Sequence, residues 1–173
     1  MSRSETWRIL LTLAIQQTPR LAIRQWDVKA AYLQAPLNHE VYVQDINEKG
    51  EIEYWILHKA LYGLKQAGHE WYNTMRNIMT KTAGLTQSIG DPEGFYKNGL
   101  ILSTHVDDMI AIAEIEEELN QLERDIETYV ELDKLGIPKK LLVQEYGILP
   151  HSRTYYCLLF SLYHMFIVFV ISY

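Results

Sequence analysis

The sequence predicts an α+β fold in which helices pack mainly on one face of an antiparallel sheet. The first observation is the order of apolar patterns, which runs helix, strand, strand pair, helix, hairpin and helix. The second is that short segments rich in turn residues join the strands of each pair, which favours antiparallel neighbours. A chain of 173 residues is long enough for one domain with a buried core.

The first third of the chain contains a helix, a strand and a strand pair. The segment SETWRILLTLAIQQ has apolar residues at helical spacing, with Ser4 as its N-cap, and Pro19 lies beyond its end. LAIRQWDV predicts a strand that enters the core and ends near Val28. EVYVQ and IEYWILH predict two strands, which are joined by the turn-rich link DINEKG.

Two further helices and a hairpin follow. KQAGHEWYNTMRNIMTKTAG predicts a helix whose core-facing side is formed by Trp71, Met75, Ile78 and Met79. Asn98-Gly99 predicts a hairpin between two β-prone runs. EIEEELNQLERDIETYV predicts an amphipathic helix with a solvated acidic side and a core-facing side formed by Ile115, Leu119, Leu122, Ile126 and Tyr129.

The composition excludes some classes of protein. Cys157 is the single cysteine, which excludes an internal disulfide framework and a cysteine-rich zinc site and favours a reducing compartment. The formal net charge of −6 argues against a chain that grips nucleic acid through its overall charge. The amino-terminal residues lack the pattern of a signal peptide, so we expect an intracellular protein.

The carboxyl-terminal segment 155–173 differs from the rest because it lacks Asp, Glu, Lys and Arg. It is nearly long enough to cross a bilayer as a helix. Three interpretations are open for it: a membrane anchor, a buried terminal strand or helix, and non-native coding sequence. We therefore divide the chain into a domain at 1–145 and a divergent apolar tail at 146–173, and all three interpretations of the tail stay open.

Two adjacent aspartates, Asp107 and Asp108, interrupt the apolar run LILSTHVDDMIAIA. The pattern predicts strand, two-residue turn and strand, with both carboxylates at the hairpin tip. Asp27 ends an apolar strand and would converge with Asp107 if that strand lay beside the hairpin. Carboxylates about 5 Å apart repel by roughly 3 kcal/mol at an effective dielectric constant of about 20, and a divalent ion such as Mg²⁺ removes this conflict. A simple turn is the alternative, since aspartate favours turns.

Three blocks of sequence carry a resemblance to a known family: WDVKAAYLQAPLNHEVYVQ, ILHKALYGLKQAGHEWYNTM and QSIGDPEGFYKNGLILSTHVDDMIAIA. In order and spacing they resemble the reverse transcriptase of copia-type LTR retrotransposons, and KALYGLKQA is close to a signature of that family. The resemblance covers residues 5–135. It implies a polymerase palm domain that binds a primer on an RNA or DNA template and uses dNTPs for RNA-directed DNA synthesis.

The resemblance also implies roles around the carboxylates. Asp27 is implied to bind both of two Mg²⁺ or Mn²⁺ ions, while the Val28 carbonyl helps to hold the metal of the nucleotide. Asp107 is implied to be the second principal ligand, and Asp108 a weaker ligand or an electrostatic supporter. The reaction would be attack of the primer 3′-hydroxyl on the α-phosphate of a dNTP, with pyrophosphate leaving.

Nucleotide-binding roles are implied for two other segments. Tyr32 occupies the position that, in this family, stacks under the sugar and excludes a 2′-hydroxyl; a packed core tyrosine is the alternative. The segment implied to lie along the incoming nucleotide and template base consists of Tyr62, Gly63, Leu64 and Lys65. Gly63 would let the backbone approach closely, whereas a simple surface position is the alternative for Lys65.

The chain departs from the family pattern at four points. His105 replaces the tyrosine usual before VDD, and Gly68 replaces the proline usual after KQA. We expect the upstream fingers region, with its basic dNTP-binding residues, to be absent, and the thumb to be incomplete after LGIPKKLLVQEYGILP. Polymerase chemistry depends on positioning and charge neutralisation, so we expect a palm-centred part of a polyprotein that is weak or inactive unless other chains of that polyprotein complete it.

Two other hypotheses remain open beside the polymerase. A non-catalytic retrotransposon relic or nucleic-acid-binding module is motivated by the expected absence of fingers and thumb. A tail-anchored membrane protein is motivated only by segment 155–173. For the polymerase, the resemblance implies a location in the cytoplasm or in virus-like particles.

Overall fold

The computed structural model describes residues 4–138 and, beyond them, the short segments 140–141, 144–145, 155–159 and 167–171; its side chains are described from residue 6 to residue 138. Its helices are α1 (Ser4–Gln16), α2 (Ala31–Gln34), α3 (Ala67–Asn77) and α4 (Glu116–Glu127), and a π-helical turn at Ile78–Thr82 continues α3. The strands up to residue 138 are β1 (Ala22–Val28), β2 (Pro36–Ile46), β3 (Ile52–Lys59), β4 (Thr86–Gln87), β5 (Gly94–Lys97), β6 (Leu100–His105), β7 (Asp108–Ala113) and β8 (Leu132–Gly136). The later strands are β9 (Lys140–Leu141), β10 (Gln144–Glu145), β11 (Tyr155–Leu159) and β12 (Ile167–Ile171).

Six strands form one antiparallel sheet in the order β4, β5, β6, β7, β1 and β8. β1 lies between β7 and β8, although it precedes both of them in the chain. β2 and β3 form a separate antiparallel ribbon, as predicted. Asn98 and Gly99 both have positive φ, 36° and 84°, and they form the predicted tight turn between β5 and β6. The prediction of an α+β fold with an antiparallel sheet is therefore confirmed.

The sheet carries helices on both faces, so the prediction that the helices pack on one face is wrong for α1. Met109, Ala111 and Ala113 of β7 belong to the buried cluster that contains the apolar residues of α3 and α4. Ile110 and Ile112, which alternate with them, pack against α1 instead. Successive residues of a strand point to opposite faces, so α1 lies across the sheet from α3 and α4. β7 is apolar on both sides, and both sides must therefore be covered.

Two side-chain hydrogen bonds attach α1 to the sheet. The indole Nε1–H of Trp7 donates to Ser103 Oγ over 3.0 Å in a buried contact. The hydroxyl of Thr6 donates to Asp91 Oδ2 over 2.7 Å. Because the partners lie in β6 and just before β5, these bonds fix the helix at the edge of its apolar contact with β7.

The core-facing residues predicted for α3 are all buried, and those predicted for α4 are buried only within the helix itself. Leu119, Leu122 and Ile126 of α4 belong to the main core cluster. Ile115 and Tyr129 remain 60% and 59% exposed, which contradicts their predicted inward position. The reason is that α4 runs only from Glu116 to Glu127, so the helical spacing does not apply to these two flanking residues.

Two predictions fall largely outside the described residues. The first is the N-cap role of Ser4, because the side chain of Ser4 is not among those described. In the tail, β11 and β12 pair antiparallel with Tyr155 opposite Ile171, while the other residues of 146–173 lie outside the description. Among the residues that the structure describes, no helix is long and apolar enough to cross a membrane. The three interpretations of segment 155–173 stay predictions.

Candidate active site

The pairing of β1 with β7 brings Asp27 next to the aspartate hairpin. Asp27 lies directly opposite Asp108, and the backbone N–H of Val28 donates to the carbonyl of Asp107 over 2.8 Å. The hairpin itself has the predicted form, with His105 paired to Asp108 across a two-residue turn. The strand that carries Asp27 thus lies beside the hairpin, which was the condition for the predicted convergence of the carboxylates.

Four side chains form a row across the sheet, here called the transverse row: His105, Asp108, Asp27 and Asp133. Each is the cross-strand partner of the next, on β6, β7, β1 and β8 respectively. Directly opposed residues of antiparallel strands point to the same face, so the row lies on one face of the sheet. It is the face on which α1 packs, because Asp108 is two residues from Ile110 along β7.

Gln25 supports the row from the same face of β1. It is buried, and its Nε2 donates to Asp108 Oδ1 over 3.3 Å. Asp133 is paired with Lys29, whose Nζ lies 3.2 Å from Asp133 Oδ1. Neither Gln25 nor Asp133 was predicted from the sequence as part of the site. Gln25 could have been found as a polar residue two positions before Asp27 on the same strand face, whereas no local signal predicts that Asp133 lies opposite Asp27.

The acidic members of the row disfavour one another's charge. Partial burial raises the pKa of Asp27, and the charges of Asp107, Asp108 and Asp133 raise it further. Burial likewise raises the pKa of Asp108; the Asp107 charge acts in the same direction, while the hydrogen bond from Gln25 and the charge of His105 oppose it. Both carboxyls therefore have raised pKa values, and a cation at this edge would relieve the repulsion.

The turn that carries Asp107 is held by contacts from outside the hairpin. Val106 has φ of 54°, a left-handed conformation that β-branched residues rarely adopt. Its carbonyl accepts a 2.6 Å hydrogen bond from the indole Nε1–H of Trp71 in α3. His105, which departs from the family pattern, has its Nδ1 3.4 Å from Glu93 Oε2. Trp71 is a core residue, as predicted, but it also reaches the turn.

The two tyrosines with implied nucleotide-binding roles contact each other. The ring centroids of Tyr32 and Tyr62 lie 5.0 Å apart, with the planes tilted by 49°. Tyr32 is in α2, which follows β1 almost directly, and Tyr62 is 55% exposed. A Cβ atom added at Gly68 would lie 4.0 Å from the Tyr32 hydroxyl, so this departure from the family pattern borders the tyrosine pair.

The rest of the second implied segment is open on its outer side. Gly63 has φ of 94°, and a Cβ atom there would meet nothing within 4 Å. Leu64 packs against the main core cluster and anchors the segment. Lys65 is exposed. The backbone at Gly63 therefore needs glycine for its conformation and not for lack of space.

A hard divalent cation at this edge would need oxygen ligands in addition to the carboxylates. In the part of the chain with described side chains, no group of three or more His, Cys, Asp and Glu residues is arranged to hold a metal ion by itself. An ion here would rest on one or two carboxylates together with backbone, water or substrate oxygens. Mg²⁺ is commonly bound in this way beside substrate phosphates, and it keeps several waters.

Comparison with known proteins identifies the class. The model of the family "Reverse transcriptase (RNA-dependent DNA polymerase)" matches residues 1–156. The chain therefore belongs to the reverse transcriptase family, and the resemblance found in its three sequence blocks is confirmed.

Its curated relatives identify the type of element. The chain is 31% identical over 105 residues to the truncated transposon Ty1-A Gag-Pol polyprotein of Saccharomyces cerevisiae. The aligned residues cover 60% of this chain and 9% of that protein. It is equally similar to the transposon Ty1-DR5 Gag-Pol polyprotein of the same yeast, of which it covers 6%. It is a reverse transcriptase domain of the copia type that spans less than a tenth of the length of these relatives.

Proposed function

We propose that this domain is the palm of an RNA-directed DNA polymerase and that it transfers a nucleotide from a dNTP to a primer 3′-hydroxyl on an RNA or DNA template. The observation that carries the proposal is the pairing of Asp27 with Asp108, next to the hydrogen bond from Val28 to Asp107, in a chain of the reverse transcriptase family. The polyprotein relatives support a setting in which other segments of the same polyprotein complete the primer and template site.

In the proposed mechanism Asp27 and Asp107 would hold the divalent ions, and the Val28 carbonyl would help to hold the ion that accompanies the nucleotide. The hydrogen bond from Gln25 to one carboxylate oxygen holds Asp108 on the face of the sheet that carries Asp27. From there Asp108 would support the site electrostatically. Two Mg²⁺ or Mn²⁺ ions, when bound, would stabilise the charges on the attacking and leaving oxygens. The primer oxygen forms a bond to the α-phosphorus as the bond to pyrophosphate breaks, and the hydroxyl proton leaves to water.

The tyrosine pair would set the choice of sugar. Tyr32 would lie under the deoxyribose and exclude a 2′-hydroxyl, with Tyr62 packed against its ring. Gly63 would let the backbone lie close to the incoming base, and Lys65 would face the nucleotide from an exposed position. These roles are supported by the contact between the two rings and by the open outer side of the glycine.

The experiment that tests the proposal combines metal binding with primer extension. Mn²⁺ is titrated into the full chain and into Asp27→Asn, Asp107→Asn and Asp45→Asn, and binding is followed by the electron paramagnetic resonance of free Mn²⁺. Asp45 is the matched control because it is an exposed aspartate in the separate β2–β3 ribbon. We expect binding by the wild type and Asp45→Asn and loss of binding in the other two.

Primer extension is then measured with the same proteins on an RNA template. Incorporation by the wild type above the level of Asp107→Asn supports catalysis. No incorporation above that level, together with no Mn²⁺ binding, would overturn the proposed function. Metal binding without incorporation would retain the carboxylate site and reject polymerisation by this chain alone.

A further inference from the structure

The backbone of Asp107 is flanked by two hydrogen bonds from different elements. On one side, the Trp71 indole of α3 donates to the Val106 carbonyl over 2.6 Å. On the other side, the Val28 N–H of β1 donates to the Asp107 carbonyl over 2.8 Å. Trp71 and Val106 are 35 residues apart in the chain, so the first bond is a tertiary contact and not part of the hairpin.

These two bonds hold the two peptide planes that meet at Asp107. The Val106 carbonyl belongs to the peptide plane before the Cα atom of Asp107, and the Asp107 carbonyl belongs to the plane after that atom. Peptide planes are rigid, and only φ and ψ of Asp107 relate one plane to the next. A hydrogen bond to each plane therefore restrains both dihedral angles, and with them the direction of the Cα–Cβ bond.

The turn needs such support because of its own sequence. Val106 is held at φ of 54°, where a β-branched side chain is strained. A strained turn of this kind persists only where surrounding contacts determine it. The sequence of the hairpin thus does not by itself favour the conformation that presents Asp107.

Trp71 is a rigid donor. Its side chain is only 3% exposed, and its ring lies in the main core cluster with Met75 and Met79 of the same helical segment. The 2.6 Å distance to the Val106 carbonyl is at the short end for N–H···O hydrogen bonds. A ring packed in this way has little freedom to move with the turn, so the position of the ring determines the position of the Val106 carbonyl.

We propose that Trp71 is a positioning residue, which sets the direction of the Asp107 carboxylate through the Val106 carbonyl. The inference rests on the proposed function, in which Asp107 would hold a metal ion and the direction of its carboxylate would therefore affect binding. Trp71 is not one of the proposed metal ligands, and its hydrogen bond to the turn is the one to the Val106 carbonyl.

The test compares Trp71→Phe with Trp7→Phe in the full chain. Both variants keep an aromatic ring and lose one buried indole donor, and Trp7 donates to Ser103 away from the turn. The first readout needs no metal: the three-bond HN–Hα coupling of Asp107, which reports its φ. The second is Mn²⁺ affinity, and thermal unfolding checks that each variant is folded.

We expect a changed Asp107 coupling in Trp71→Phe and Mn²⁺ binding that is about tenfold to a hundredfold weaker, as for other groups that orient metal ligands. Trp7→Phe should keep the wild-type coupling and affinity. An unchanged coupling in a folded Trp71→Phe chain, or an unchanged affinity where the wild type binds Mn²⁺, overturns the inference.

The proposed function and this inference can fail separately. If the wild type binds no Mn²⁺, the proposed metal site fails, and the Asp107 coupling alone decides whether Trp71 positions the turn. If Trp71→Phe does not fold, the scalar coupling across the hydrogen bond, from the Trp71 indole nitrogen to the Val106 carbonyl carbon, is measured in the wild type. Its presence supports the inference, and its absence overturns it.

Discussion

Replacing Asp27 by Asn should stabilise the fold and abolish metal binding at the same time. Asp27 stands between Asp108 and Asp133, its two cross-strand partners, and burial together with their charges raises its pKa. The ionised form is thus disfavoured in the folded state. Asparagine has nearly the same shape without the charge, so it removes the repulsion with little change in packing.

The magnitude follows from the spacing of the strands. Directly opposed Cβ atoms are about 5 Å apart, which corresponds to roughly 3 kcal/mol per pair at an effective dielectric constant of about 20. Asp27 is only partly buried, so solvent screening reduces this to less than about 1 kcal/mol per pair. We expect Asp27→Asn to gain about 1 kcal/mol at pH 7, which is about 2–4 °C in Tm for a domain of this size.

The pH dependence gives the sign a second test. A carboxyl whose pKa is raised on folding destabilises the fold once it is ionised, and this penalty disappears below its unfolded value. The gap between Asp27→Asn and wild type should therefore close as the pH falls through the raised pKa of Asp27 toward the ordinary value of 3.8. A gap that widens in acid would contradict the reasoning.

The assay is thermal unfolding in metal-free buffer and then in increasing Mg²⁺ or Mn²⁺. Wild type should gain about 2.7 kcal/mol at a hundred times the dissociation constant, while Asp27→Asn gains little, so the order of stability inverts. Asp45→Asn, in the separate ribbon, should follow wild type under both conditions. A lower or unchanged Tm of Asp27→Asn without metal would refute the electrostatic argument, and equal gains with metal would refute the site.

Three further predictions concern other parts of the domain. Glu123→Gln should lower the free energy of unfolding by about 1–2 kcal/mol at pH 7, because Glu123 accepts from Trp26 over 2.7 Å and pairs with Lys134 over 2.7 Å. Burial tends to raise the pKa of Glu123, but these donors outweigh it and lower the pKa. The loss seen in urea unfolding should therefore shrink once the pH falls below the ordinary value of 4.5 and vanish as the pH falls through the lowered pKa, and a constant loss would contradict this. Tyr32→Val should raise ribonucleotide incorporation relative to dNTP by about tenfold in primer extension, with Tyr62→Phe as the ring-keeping control, and an unchanged ratio would reject the sugar-selecting role. Gly63→Ala and Gly50→Ala should each lower the free energy of unfolding in urea by about 1–2 kcal/mol, since both glycines have positive φ and an added Cβ atom would meet nothing within 4 Å. Only Gly63→Ala should weaken primer extension, and equal effects of the two variants on extension would reject a role for Gly63 in binding the nucleotide.

The individual elements could be predicted because their signals are local. The buried side of α3, the turn at Asn98-Gly99 and the aspartate hairpin are each encoded within a few residues. Where the local rule was extended past the end of an element it failed, as for Ile115 and Tyr129 beside α4. Helical spacing describes burial only while the helix continues.

The face of the sheet that each helix covers could be assigned only from the tertiary structure. β7 is buried on both sides, and its sequence does not say which helix covers which side. The position of α1 opposite α3 and α4 follows from long-range contacts such as that between Trp7 and Ser103. A local pattern shows that a face is apolar but does not identify the element that covers it.

The family, the strand that carries Asp27 and the hairpin that carries Asp107 and Asp108 can all be recognised from the amino-acid sequence. The position of β1 between β7 and β8 emerges from the folded chain, where it joins Gln25 to a carboxylate 83 residues away and brings Asp133 opposite Asp27. Strand pairing between distant segments depends on closing long loops and on packing the whole core, and neither is encoded in a short stretch of residues.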